Sequence, residues 1–234
     1  MKAFLLAAGK GTRLQPLTLH TPKCLVPICG KPLMDYWFDL FDIYGIDDIL
    51  INTSHLAGKV REYVERNSRG FRVKLTYEKN LLGSGGTIKK NWDFVEGEEV
   101  FFIFYADNLT SINLSKMLEF HKGSDKDFTI AVFRVINAKE CGVVELVNNS
   151  TVVSFTEKPQ KPVSDLVFAG IMLGTPRLKI FFPDRDTFDL GYDVLPEIVG
   201  NTSGYVIEDY LLDIGDAAKL KQAEKDVRNG ILIN

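Results

Sequence analysis

The sequence predicts an α/β fold: a Rossmann-like, three-layer α/β/α arrangement with a mixed, mainly parallel central sheet. Two observations support this class. Short apolar runs alternate with helical patterns through the first 110 residues, and such alternation implies right-handed crossovers between parallel strands. After a helical pattern near residues 114–121, four strand-like runs follow with little helix between them, which predicts a smaller antiparallel sheet.

The first element is the apolar run 3–8, which carries no polar residue and therefore predicts a strand buried on both faces. Gly9 and Gly11 follow, with Lys10 and Arg13 among them. A loop at the carboxyl end of a buried strand is where open α/β sheets bind ligands, and glycine lets backbone N–H groups approach a phosphate. The spacing fits neither the Walker pattern nor the dinucleotide fingerprint. A glycine turn with solvated basic residues is the alternative interpretation.

Helices and strands then alternate along the first half. We expect helices over residues 32–44, 56–66 and 83–92, and strands over 48–52, 73–77 and 100–105. The last of these strands is the most hydrophobic, which favours a central place, and Asp107 follows it. A carboxylate leaving a buried strand is costly to place without a partner. The glycine-rich stretch 83–86 begins the helix over 83–92, and helix starts of this kind bind polar ligands. On the residues alone, a glycine turn that serves close packing is favoured.

The second half is predicted to be mostly strand. The four runs are 128–135, 142–147, 151–157 and 166–173, with a hairpin turn at Asn148-Asn149, and a further run follows at 204–207. A helix within residues 189–199 is either interrupted or started anew at Pro196, and Asp216 caps a closing helix over residues 217–227.

Length and charge limit the class of protein. The 234 residues suit one domain, 1–234, with a first half 1–110 and a second half 111–234. The net charge of −3 gives no support for nucleic-acid binding. No run is long enough for a membrane span, and the N-terminus does not resemble a signal peptide. The three cysteines form no metal-ligand spacing, and because their number is odd and no secretory context is present, we expect a reduced, cytoplasmic protein with no membrane partner. We expect Cys24, beside Lys23, to be sensitive to alkylation.

Several motifs occur together. GKGTRLQPLT at residues 9–18, followed by PKCLVP at 22–27, resembles the signature of the sugar-1-phosphate nucleotidyltransferases. Cys24 replaces the usual proline, and Ala8 stands where many members have glycine. The resemblance implies that Arg13 and Lys23 neutralise the triphosphate of an NTP. It implies a nucleotide-binding set of Leu6, Ala7, Ala8, Gly9, Gly11, Thr12, Arg13, Lys23, Glu78, Gly83 and Ser84.

Later motifs resemble the metal and acceptor sites of the same family. By that resemblance Asp107, after Ala106, and Asp213, in YLLDIGD, bind Mg²⁺. CGVV at 141–144, FTEKP at 155–159 and FAGI at 168–171 resemble acceptor motifs, although Phe168 replaces an asparagine. The implied sugar-phosphate set is Asn108, Gly142, Glu157, Lys158, Ala169 and Gly170, and the implied catalytic set is Arg13, Lys23, Asp107, Lys158 and Asp213.

The resemblance implies a Mg²⁺-dependent reaction. A sugar 1-phosphate attacks the α-phosphorus of an NTP, pyrophosphate leaves, and no general base is needed because the nucleophile is already anionic. LLGSGGT at residues 81–87 looks nearest to mannose- or heptose-1-phosphate guanylyltransferases, so GTP is favoured. A uridylyl- or thymidylyltransferase, and a non-catalytic regulatory relative that binds a nucleotide sugar, remain alternatives. Analogy with the family also allows a homo-oligomer.

Overall fold

The computed structural model describes residues 1–148 and 150–232. Its strands are β1 (Lys2–Leu6), β2 (Pro27–Ile28), β3 (Lys31–Pro32), β4 (Asp48–Thr53), β5 (Arg72–Tyr77), β6 (Phe101–Tyr105), β7 (Asn108–Thr110), β8 (Phe128–Arg134), β9 (Gly142–Val147), β10 (Thr151–Glu157), β11 (Leu166–Gly174), β12 (Thr202–Val206) and β13 (Leu211–Asp213). Its α-helices are α1 (Leu33–Tyr44), α2 (Ala57–Asn67), α3 (Gly83–Lys90), α4 (Leu114–Lys122) and α5 (Ala217–Arg228). No described helix combines the length and the apolar character needed to cross a membrane.

Contacts within the chain define two compact units. The first unit comprises Met1–Leu81, Phe104–Ile112 and Asp209–Asn234, and the second comprises Leu82–Ile103 and Asn113–Glu208. Strand β6 therefore begins in the second unit and ends in the first. The expectation of one domain with halves 1–110 and 111–234 stays a prediction.

The first unit is built on parallel strands. Strand β4 pairs in parallel with both β1 and β5. Helix α1 buries an apolar stripe, in which Trp37 and Phe41 are one turn apart, and this stripe is the reason that the segment is helical. The helix ends at Gly45, whose φ of 64° is a left-handed conformation that glycine adopts without strain. Strands β7 and β13 form a separate antiparallel pair.

The second unit carries mixed pairing. Strand β8 pairs in parallel with β12 and antiparallel with β11, while β10 pairs antiparallel with β9 and β12. Val152 and Phe155 are the buried residues of β10, and they lie three positions apart because the strand shifts register against β9 between Val152 and Ser154. The predicted hairpin turn at Asn148-Asn149 lies partly outside the described residues, because Asn149 is not among them.

The predicted fold class, α/β with a mixed sheet and a small antiparallel sheet, is confirmed. The expected helix within residues 189–199 is instead a short π-helical turn, Leu190–Val194, followed by a 3₁₀ turn, Leu195–Ile198. Pro196 explains this difference, since proline has no N–H with which to continue a helical ladder. The Asp216 cap is confirmed: its carboxylate accepts hydrogen bonds from the N–H groups of Ala218 and Lys219.

Candidate functional site

The glycine loop after β1 is held by its neighbours. The Ala7 N–H donates to Asn52 Oδ1 at 2.7 Å, and the Leu6 carbonyl accepts from the Ala106 N–H at 3.1 Å. Gly11 has φ of 63°, and a Cβ there would lie 2.9 Å from Thr18 Cγ2 and 3.2 Å from Lys23 Cβ. Only glycine therefore fits at position 11. The hydrogen bond between Ala106 and Leu6 places the segment that follows β6 next to the glycine loop.

Lys23 and Asp107 form an ion pair across this edge of the first unit. Lys23 Nζ lies 2.5 Å from Asp107 Oδ2, and its side chain is only 11% exposed. The Trp37 indole N–H donates to the carbonyl of Ala106 at 3.3 Å, which fixes the backbone just before Asp107. Two residues that were predicted to act together are thus in direct contact.

Asp213 lies on the strand beside Asp107. The β7–β13 register pairs Asp213 with Asn108, and the Ile214 N–H donates to the Asp107 carbonyl at 2.8 Å. A Cβ on Gly215 would lie 2.8 Å from Asp213 Oδ2 and 3.2 Å from Arg13 Nη2. The Asp213 carboxylate and the Arg13 guanidinium therefore share the space that a side chain at this glycine would fill.

The donor set of the first unit fits Mg²⁺. Asp107, in the turn just before β7, and Asp213, at the end of β13, bring two carboxylates to this region, and Mg²⁺ usually takes one or two carboxylates together with phosphate oxygens and water. Within residues 1–148 and 150–232, no group of three or more histidine, cysteine, aspartate or glutamate side chains forms a metal cage. The pair therefore suits an ion that shares its ligands with a phosphate.

Two polar residues of this region were missed by the sequence prediction. Asn52 donates to Glu78 Oε1 at 3.0 Å, and both residues are at least 95% buried. Because the Ala7 N–H also donates to Asn52, this amide connects Glu78 to the glycine loop. Lys219 donates to Asp213 Oδ2 at 2.7 Å. The polar end of the apolar run ILIN was the available signal for Asn52, whereas no local signal marks Lys219.

In the second unit, Glu157 lies in a cradle of two glycines. Its Oε2 lies 2.8 Å from the position of a Cβ on Gly142 and 2.7 Å from that of a Cβ on Gly191. Burial raises the pKa of Glu157 above its ordinary value; the Lys158 ammonium lowers this pKa and Asp189 raises it further. The absence of side chains at both glycines leaves room for this carboxylate.

Lys158 and the segment Ala169–Gly170 have unusual backbone geometry. Lys158 has φ of 47°, and its N–H donates to the Cys141 carbonyl at 2.9 Å. Strand β11 shifts register against β8 between Phe168 and Met172, a bulge that contains Gly170 at φ of 68°. Bulges and left-handed residues are enriched at binding sites, where they redirect side chains. The Phe168 ring packs edge-on against Phe155.

The structure does not place all the predicted site residues in one unit. Asn108 is buried in β7 of the first unit, whereas the other predicted sugar-phosphate residues belong to the second. Gly83 and Ser84 belong to the second unit, whereas the other predicted nucleotide residues belong to the first. Their roles stay predictions.

Gly83 is tightly enclosed. Its φ is 75°, and a Cβ there would lie 2.4 Å from the Phe188 carbonyl oxygen. We expect Gly83→Ala to lower the free energy of unfolding by about 2–4 kcal/mol, because left-handed strain adds to a backbone clash. Gly58→Ala in α2 is the control, since a Cβ there meets no atom within 4 Å and alanine favours helix. Urea unfolding measures the free energy of unfolding of both variants, and equal values for the two would contradict the requirement for glycine at position 83.

Cys24 is less reactive than its sequence position suggested. It is buried, and burial raises the pKa of its thiol to about 12. The expected sensitivity to alkylation therefore does not hold for the folded protein, because the thiolate is the reactive form. We predict that iodoacetamide at pH 8 modifies the exposed Cys29 at least about a hundredfold faster than Cys24. Peptide mass spectrometry over time measures the two rates, and similar rates in folded protein would contradict the prediction.

Comparisons with known proteins identify the family of this chain. A nucleotidyl transferase family model matches residues 2–230. The chain is 32% identical to a UTP–glucose-1-phosphate uridylyltransferase of Synechocystis sp. over 85% of the chain and 55% of the relative. It is 27% identical to a mannose-1-phosphate guanylyltransferase of Mycobacterium tuberculosis over 98% of the chain and 65% of the relative. The chain thus spans about 55–65% of the length of these curated relatives.

Solved structures show the same fold. HddC from Yersinia pseudotuberculosis, complexed with GMP-PN, has a TM-score of 0.78 and 26% identity, with 97% of this chain and 99% of that chain covered. A putative glucose-1-phosphate thymidylyltransferase from Bacillus anthracis has a TM-score of 0.88 at 22% identity, with 98% and 96% covered, and so shows the fold alone. Because the family model spans nearly the whole sequence, the chain belongs to the nucleotidyl transferase family, among relatives that act on sugar 1-phosphates.

Proposed function

We propose that this protein transfers a nucleotidyl group from an NTP to a sugar 1-phosphate and releases pyrophosphate. The observation that carries the proposal is the grouping, in the first unit, of the glycine loop with Lys23, Asp107, Asp213 and Arg13. A loop that exposes N–H groups beside cations suits a triphosphate, and paired carboxylates suit its divalent cation. Family membership supports the same reaction class.

Each residue then has a defined task. Arg13 and Lys23 bind and orient the triphosphate, and Lys158 binds the phosphate of the acceptor. Glu157 accepts hydrogen bonds from the sugar hydroxyls in its glycine cradle. Asp107 and Asp213 would hold Mg²⁺, which when bound neutralises phosphate charge. Because the attacking phosphate is already anionic, the chain supplies alignment and charge rather than a general base.

For the substrates, we propose GTP with mannose 1-phosphate or heptose 1-phosphate. A carboxylate, as at Glu78, has the acceptor oxygens that the N1–H and N2–H₂ edge of guanine requires. The relatives named as mannose-1-phosphate guanylyltransferases, and the HddC complex with GMP-PN, support the same base. The Synechocystis relative supports UTP with glucose 1-phosphate as the second candidate. A cytoplasmic location and synthesis of nucleotide sugars for cell-surface polysaccharides complete the proposal.

The experiment is a pyrophosphate-release assay of the full chain with Mg²⁺. ATP, GTP, CTP and UTP, with dTTP added, are each paired with mannose, heptose, glucose and glucosamine 1-phosphates. The proposal predicts the highest kcat/KM for GTP with a mannose- or heptose-type acceptor. A higher kcat/KM for UTP or dTTP would make the protein a uridylyl- or thymidylyltransferase of the same reaction class. Nucleotide-sugar binding without any turnover would favour the non-catalytic alternative.

A further inference from the structure

Helix α3 begins against a second segment of the same unit, residues 186–193, which we term the bridging segment. The Ser84 N–H and the Ser84 hydroxyl both donate to Asp189 Oδ1 at 3.1 Å. The Leu190 N–H donates to Ser84 Oγ at 2.8 Å. The first turn of a helix has N–H groups without partners inside the helix, and the bridging segment supplies those partners here.

Backbone bonds and close packing join the same two segments. The N–H groups of Gly85 and Gly86 donate to the Phe188 carbonyl at 3.1 and 3.0 Å, and the Phe188 N–H donates to the Leu82 carbonyl at 2.9 Å. A Cβ on Gly85 would lie 2.3 Å from the Phe188 ring, and one on Gly86 would lie 2.3 Å from the Asp186 carbonyl oxygen. Neither glycine has room for a side chain, so the two segments are in direct contact and a shift of one displaces the other.

The other side of the bridging segment faces Glu157. Gly191 lies against the Glu157 carboxylate, whose Oε2 is 2.7 Å from the position of a Cβ at that glycine. Asp189 raises the pKa of Glu157, which places the two carboxylates within electrostatic reach of each other. The segment itself is braced, because the Asp189 N–H donates to Asp193 Oδ2 at 2.9 Å and the Asp193 carboxylate pairs with Arg185.

We propose that Asp189 is a positioning residue, which through Ser84 and Gly191 ties the glycine turn of residues 83–86 to Glu157. The proposal rests on the proposed function, in which the glycine turn serves the nucleotide and Glu157 serves the sugar. One rigid segment then sets both contacts. A substitution that disturbs the nucleotide contact therefore also weakens binding of the sugar 1-phosphate. A substitution that disturbs the acceptor contact also weakens binding of the NTP.

The test measures KM and kcat for both substrates in variants of the full chain. Asp189→Ala should raise both KM values about fivefold or more, the equivalent of one lost capping hydrogen bond, with a smaller change in kcat. Asp189→Asn retains an oxygen that can accept from Ser84, so both KM values should return to within about twofold of wild type. Asp184→Ala, which removes an exposed carboxylate two residues before the bridging segment, is the control and should leave both KM values unchanged.

Cross-effects separate positioning from a purely structural role. Ser84→Ala should raise the KM of the sugar 1-phosphate as well as that of the NTP, although Ser84 is assigned to the nucleotide. Gly191→Ala should raise the KM of the NTP as well as that of the acceptor. The double variant Ser84→Ala/Asp189→Ala should lose less than the sum of the two single losses, because the Ser84–Asp189 hydrogen bonds are common to both substitutions.

Failure of this inference differs from failure of the proposed function. If wild type turns over but Ser84→Ala changes only the KM of the NTP, the link to Glu157 is overturned. The same holds if Asp189→Ala lowers the melting temperature with both KM values intact, because the bond then serves stability alone. Absence of turnover by wild type with every substrate pair would contradict the proposed function itself.

Discussion

Asp107→Asn is expected to reduce kcat by at least about a thousandfold. The substitution removes one of the two carboxylates proposed to hold Mg²⁺, and it deprives Lys23 Nζ of an anionic partner 2.5 Å away. An amide oxygen has the same shape but no charge, so it neither balances the ammonium nor binds a hard divalent cation well. Stopped assays of pyrophosphate release at saturating substrates measure the loss.

Stability should change little in this variant. The Asp107 side chain is 35% exposed, and asparagine keeps an oxygen that can accept from Lys23 Nζ, whose side chain is 11% exposed, so the substitution should cost only about 1 kcal/mol. A melting temperature near that of wild type would therefore accompany the lost turnover. Asp125→Asn, at a side chain that is 86% exposed, is the matched control and should retain full activity. A variant at position 107 that kept even a tenth of wild-type kcat would refute the role assigned to Asp107.

Lys158→Ala should lower kcat/KM for the sugar 1-phosphate by about 10–100-fold while the KM of the NTP stays within about threefold. Lys158 is half-exposed on the acceptor side, and its ammonium lies 3.9 Å from Glu157 Oε1. A charge-assisted contact to a phosphate is among the stronger polar interactions, so its loss falls on the substrate that carries that phosphate. Initial rates with each substrate varied in turn separate the two effects.

The backbone of Lys158 does not complicate this comparison. Its φ of 47° strains lysine and alanine alike, so the substitution tests the ammonium rather than the turn. Lys158→Arg should recover part of the activity, since charge is kept with altered geometry. Lys139→Ala, an exposed lysine of the same unit, should behave as wild type. A loss confined to the NTP would instead move Lys158 to the triphosphate.

Much of the fold could be predicted because its signals are local. The stripe of α1 and the glycine at position 45 fix a helix and its end within a few residues of chain. Gly11 was identified from the glycine loop that follows an apolar run, and the structure shows a left-handed turn there that requires glycine. The π-helical turn at Leu190–Val194 was missed, since Pro196 marks an interruption without specifying which helix type precedes it.

The candidate site was predicted less completely, because its contacts are long-range. Lys23 and Asp107 are 84 positions apart, and only the resemblance to a family suggested that they act together. Asn52, Lys219 and Asp189 were missed, since each gains its meaning from a partner that tertiary structure supplies. The sequence around a polar residue at the end of a strand or in a loop does not indicate which distant residue it contacts.

The central claim is that Asp107 and Asp213 hold one divalent cation for the triphosphate. Titration of the protein with Mn²⁺ in the presence of nucleotide, followed by the electron paramagnetic resonance signal of free Mn²⁺, tests it most directly. The account predicts one tightly bound ion per chain in wild type and its loss in both Asp107→Asn and Asp213→Asn. Retention of that ion at wild-type affinity in either variant would contradict the account.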